Sequence, residues 1–102
     1  MKKFIVDIDG TICTDSRGNY ELARPMNSRI AYFNELYRKG NIIVYWTARG
    51  GNSGKDWSKL TKEQLEEWGV KYTELLMNKP SYDFWIDDKA YNGNRFFDEL
   101  YF

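Results

Sequence analysis

With 102 residues the chain has room for one domain, and its 15 basic and 15 acidic residues cancel to a formal net charge of zero. That balance excludes a global field that would draw nucleic acid or a membrane surface, so neither is expected as a partner. The absence of histidine removes the commonest general base and transition-metal ligand, and a lone cysteine, Cys13, excludes an internal disulfide.

Phe4 to Ile8 is a short apolar run of the kind buried in a parallel sheet. Asp7 and Asp9 interrupt it too early for a secretion or membrane segment, so the expected location is the cytoplasm. Residues 12–24 read as an irregular flap with a turn at Arg17-Gly18-Asn19. Pro25 to Lys39 reads as a helix with Ile30, Phe33, Leu36 and Tyr37 on one face and Gly40 as its stop.

Ile42 to Trp46 is the second expected strand, followed by a loop from Thr47 to Gly54. Thr61-Lys-Glu-Gln64 has the spacing of a capping box, which opens a helix that stops at Gly69. Val70 to Met77 and Asp83 to Asp87 are the third and fourth expected strands, and Gly93 to Phe102 a final helix. Strands alternating with helices imply right-handed crossovers and a three-layer, Rossmann-like α/β fold: a small parallel sheet flanked by helices.

In such a sheet the ligand site lies beyond the carboxyl ends of the strands. Asp7, Asp9, Gly10 and Thr11 follow the first strand, Thr47, Ala48 and Arg49 the second, and Asp87 and Asp88 end the fourth, with Lys79 just ahead of it. Three or more carboxylates on one rim repel, by about 4 kcal/mol for each contact at ~4 Å in a medium of moderate dielectric, unless a cation sits among them. Oxygen donors without histidine point to Mg²⁺. Thr47 and the following amides can hold a phosphoryl oxygen, and Pro80 stiffens the chain where Lys79 turns inward. Asp-x-Asp-Gly-Thr arises by chance in such a chain roughly once in a thousand.

These residues carry a resemblance to the haloacid dehalogenase superfamily of phosphohydrolases. Asp7-x-Asp9-Gly10-Thr11 resembles its first motif, Thr47 the second, Lys79 the third and Asp87-Asp88 the fourth. Thr47-Ala-Arg-Gly50, Gln64-Leu-Glu-Glu-Trp-Gly-Val70 and Ile86-Asp-Asp-Lys-Ala90 are similar to a small subgroup without a cap domain, often associated with surface-polysaccharide biosynthesis. The resemblance implies one haloacid-dehalogenase-like catalytic domain over residues 1–102. It implies a phosphatase in which Asp7 forms an aspartyl phosphate and Asp9 serves as general acid and base. Asp7, the carbonyl of Asp9, Asp88 and Asp87 would hold Mg²⁺, and Thr47, Ala48, Arg49 and Lys79 would bind the phosphate, with Gly10 and Thr11 supporting the turn. The residue before Lys79 is Asn78, where many relatives have glycine.

The expected partner is a phosphorylated substrate, a small molecule such as a sugar phosphate or a larger acceptor. Alternatives are phosphoryl transfer to an acceptor other than water, or a slow-turnover phosphate-binding scaffold. A signalling receiver domain fits poorly, because its paired acids and phosphorylated aspartate come from different strands. The aromatic C-terminal segment is expected to pack on the sheet, with a contact between copies in a homo-oligomer as the alternative.

Overall fold

The computed structural model describes residues 1–51 and 54–100. The centre of the loop expected between Thr47 and Gly54, and the last two residues of the expected C-terminal helix, lie outside the described residues. Among the described residues the order is β1 (Lys3–Val6), α1 (Asn27–Arg38), β2 (Ile42–Trp46), α2 (Ser58–Glu67), β3 (Glu74–Leu76) and α3 (Gly93–Leu100), with a 3-10 turn at Tyr20–Leu22.

The strands form one parallel sheet in the order β1-β2-β3. Lys3 lies opposite Ile42 and Val6 opposite Tyr45, while Val44 to Trp46 lie opposite Glu74 to Leu76. The central strand carries the continuous apolar run, and Ile43, Val44 and Tyr45 are buried on it. β1 therefore ends immediately before Asp7 and β2 immediately before Thr47, which brings both expected motifs to the same end of two paired strands.

α1 buries Ile30 and Phe33 and ends at Gly40, whose φ of 95° allows the left-handed stop. Phe33 meets Phe96 and Phe97 of α3, and Tyr32 meets both as well. Arg29 fastens the same junction: it donates to the Thr11 carbonyl at 3.1 Å and to Asn94 at 2.9 Å, and its guanidinium covers the Phe97 ring. Gly93 opens α3 where a Cβ would come within 2.9 Å of the Thr11 hydroxyl. Phe96 and Phe97 thus pack against α1 beside the core, where packing on the sheet was expected; Tyr101 and Phe102 lie outside the described residues.

Three elements differ from expectation. α2 begins at Ser58, one turn before the expected capping box, and Asp56 just ahead of it accepts from the Ser58 amide at 2.9 Å and its hydroxyl at 2.7 Å. Thr61 is buried inside the helix instead, with its hydroxyl facing Arg49. The third strand shortens to Glu74–Leu76, and residues 83–87 form no strand. Phe84 and Ile86, expected inside the sheet, are 84% and 94% exposed. Their alternation has no ladder partner, and without one an apolar run carries only a propensity.

Candidate active site

Asp7 and Asp9 flank Ile8, which is fully buried, so the strand-end alternation sends both carboxylates away from the core. The chain then turns sharply through Gly10, at φ 85°. The Thr11 and Ile12 amides both donate to the Ile8 carbonyl, each at 3.0 Å, and the Gly10 amide donates to Cys13 at 2.8 Å. That turn brings the Thr11 hydroxyl to a long 3.5 Å contact with Asp7.

Lys79 arrives from the far side of β2. Its amide donates to the Thr47 carbonyl at 2.9 Å, which extends the pairing of β2 and β3 past the strand ends. Asn78 adopts φ 62°, the left-handed region that asparagine tolerates better than most side chains. The Lys79 ammonium reaches 3.7 Å from Asp7 Oδ1 and lies 5.6 Å from the ring centres of Tyr82 and Trp85.

Partial burial raises the Asp7 carboxyl above its ordinary value; Lys79 and the Ile8 amide work against that rise and the Asp9 charge adds to it. The charged form of Asp7 is therefore disfavoured mainly by burial, a condition that a nearby cation relieves.

Asp9 is held differently. Arg49 Nε donates to Oδ2 and a terminal nitrogen to Oδ1, both at 2.9 Å, in a two-pronged pair whose arginine side chain is wholly buried. The other terminal nitrogen donates to Thr61 at 3.2 Å and Gln64 at 2.6 Å, and the Asp9-bound one also faces Cys13 sulfur at 4.0 Å. Burial opposes the Arg49 charge, but the hydrogen bonds and charge of Asp9 outweigh it and raise its pKa. The five donors of the guanidinium are thereby all engaged. Arg49, expected to contact the substrate phosphate, is here paired with the Asp9 carboxylate.

An open cleft of about 290 Å³ joins Asp7, Asp9, Ala48, Arg49 and Lys79. The flap supplies Asp15, Gly18 and Tyr20 to its wall, and Pro80 to Tyr82 complete the rim. Thr47 lies behind the cleft, buried, with its hydroxyl accepting from the Arg49 amide at 3.2 Å. A threonine hydroxyl that accepts still has its proton to donate.

Asp87 and Asp88 are not brought to this cleft. Both are exposed, and the Lys89 amide donates to Asp87 at 2.8 Å, a turn contact that lowers the Asp87 pKa. Among the described residues no three acidic, cysteine or histidine side chains stand close enough to hold a metal ion. Among the described residues the expected convergence of three or more carboxylates is not seen, because the strand that would deliver Asp87 and Asp88 is not formed. Gln64, Thr61 and Tyr20 were not among the expected site residues. Thr61 and Gln64 stand three residues apart, a spacing that shares a helix face as readily as it caps one.

Among the described residues no helix is long and apolar enough to cross a membrane. No protein-family model and no curated protein matches the chain. A crystal structure of an MCSG target from Vibrio cholerae matches over 94% of this chain and 87% of its own, at 34% identity and a TM-score of 0.81. With that identity over nearly the full length of both, the chain belongs to the same family as the Vibrio cholerae protein, a small α/β fold built on a parallel sheet.

Proposed function

We propose that the chain is a Mg²⁺-dependent phosphohydrolase of the haloacid dehalogenase type, acting on a phosphomonoester such as a sugar phosphate. One observation carries the reading: Asp7 and the Lys79 ammonium stand 3.7 Å apart in an open cleft at the carboxyl end of a parallel sheet. Asp7 attacks phosphorus through a carboxylate oxygen; the bond to the ester oxygen breaks, and that oxygen takes a proton from Asp9. Water then attacks the aspartyl phosphate, returns a proton to Asp9, and releases phosphate with Asp7 restored. A carboxylate offers about four lone-pair sites, so the Arg49 fork leaves Asp9 places to hold that proton. Lys79 offsets the repulsion between Asp7 and the phosphoryl oxygens, and the Thr47 hydroxyl and the amides after it are the further phosphate donors.

The donor chemistry fits magnesium, which keeps several waters and is held by one or two carboxylates together with phosphate oxygens. Asp7 and the Asp9 carbonyl would hold the ion, and Asp88 with Asp87 would add further donors only if their exposed segment moved to the cleft. When bound, the ion withdraws charge from the phosphoryl group as a Lewis acid.

A panel of phosphomonoesters, sugar phosphates included, assayed with and without Mg²⁺ tests this. Phosphate release that needs Mg²⁺ and disappears in Asp7→Asn is the expected result. Release from no panel member, or an active Asp7→Asn, sinks the reading.

A further inference from the structure

The buried Arg49 hub joins two parts of the site that are far apart in the chain. Its guanidinium grips both oxygens of Asp9 at 2.9 Å. On its other side Gln64 Oε1 accepts at 2.6 Å, while the same amide's nitrogen donates at 2.6 Å to the carbonyl of Tyr20 in the flap. The Tyr20 ring lies over the guanidinium, 4.6 Å from ring centre to Cζ, and its edge meets Trp57 at 5.0 Å. Asp9, the flap and α2 thus share one rigid cation. Planar guanidinium geometry is essential to such a hub, since a lysine ammonium presents no fork to two carboxylate oxygens.

We infer that Arg49 is a positioning residue: it orients the Asp9 carboxyl and latches the Tyr20 flap against α2 through Gln64, and it does not bind the substrate phosphate. The inference rests on the phosphohydrolase reading for the role of Asp9 but not for the geometry of the hub. A positioning role and a phosphate-binding role predict opposite kinetic signatures. Loss of orientation lowers kcat; loss of an anion contact made equally in the ground state raises KM.

The test has two arms. In the first, Arg49→Lys is assayed on whichever phosphomonoester the wild type turns over. The expected result is a kcat lower by about 100-fold, the lower end of what a positioned acid–base contributes, with KM within about threefold of wild type. A KM raised by about tenfold or more with kcat retained overturns the inference.

The second arm needs no turnover, so it still decides if the enzyme reading fails or Arg49→Lys does not fold. The arginine Nε–H signals of ¹⁵N-labelled wild type are followed while inorganic phosphate is added in Mg²⁺ buffer. One strongly exchange-protected Nε–H is expected, that of Arg49, unchanged as phosphate binds and exposed to exchange in Asp9→Asn. In Gln64→Leu the amides of the 20–23 turn should exchange faster. A phosphate-dependent loss of Arg49 protection, or flap exchange unchanged in Gln64→Leu, overturns the latch. A panel without turnover alongside an intact, phosphate-insensitive hub would defeat the proposed function and leave the geometry of the inference standing.

Discussion

The backbone carbonyl of Thr47 accepts a 2.9 Å hydrogen bond from the amide of Lys79, so the two residues are held on adjacent chain segments at the same end of the sheet. Lys79 is thereby anchored by its main chain while its ammonium faces Asp7 at 3.7 Å. Lys79→Met keeps that anchor and removes the charge. Turnover should fall by about 100-fold or more, as it does when a preorganised charge-stabilising donor is lost. The acid side of the pH–rate profile should move to higher pH, because Lys79 holds the Asp7 pKa down. An unchanged profile would show that Lys79 does not act on Asp7.

Asp7 itself should weaken the fold at neutral pH. Its native pKa lies above the ordinary value of 3.8, so the native state binds its proton more tightly than the unfolded chain does. The resulting stability is present below the unfolded value and lost as pH rises through the native one. Asp7→Asn is therefore expected to raise Tm at pH 7 in EDTA and to give little gain near pH 3. Equal Tm values for the two proteins at pH 7 would contradict this sign.

Asp88 sits on an exposed segment away from the cleft. In metal-free buffer Asp88→Asn should melt with wild type. Mg²⁺ plus inorganic phosphate should raise the wild-type Tm by mass action, and Asp88→Asn should lose most of that increment if the segment delivers its carboxylate to the bound ion. A full increment in the variant would remove Asp88 from the ligand set.

Cys13 is fully buried, and burial followed by the Asp9 charge pushes its thiol up to about 12. Thiolate is the reactive species, so native protein should resist alkylation by iodoacetamide at pH 8. Unfolding in guanidinium should release one reactive thiol; rapid labelling of the native chain would show that the motif turn opens readily.

Tyr45 is buried in β2 between Phe33 and Tyr72, and its hydroxyl has no hydrogen-bond partner among the described residues. Burial raises its pKa. Tyr45→Phe keeps the ring contacts and removes a buried, unpaired polar group, a change worth about 1 kcal/mol or more of added stability. Urea unfolding measures it; a loss of stability would mean that the hydroxyl is solvated in the folded protein.

Much of this arrangement was legible in the chain itself. The apolar runs Phe4 to Ile8 and Ile42 to Trp46 marked strands followed by Asp7 and Thr47, although only the central β2 is buried along its length and Ile5 on the edge strand β1 is exposed. Lys79 was legible from Pro80 beside it, although the fourth strand it was expected to precede is not formed. The run Asp83 to Asp87 looked equally strand-like, yet Phe84 and Ile86 are exposed. Strand pairing is a property of two segments, and one segment's composition does not supply the other.

The sequence by itself determined that Asp7, Asp9 and Thr47 follow the ends of strands, since the position where an apolar run stops is a local matter, while the pairing of those strands is tertiary. Only the tertiary structure decided what Arg49 does. Its partners Asp9, Thr61 and Gln64 lie 40, 12 and 15 residues away, and a buried guanidinium is claimed by whichever acceptors folding places around its five donors. Tertiary structure likewise left Asp87 and Asp88 outside the cleft, because reaching it requires a ladder partner that their own segment cannot provide.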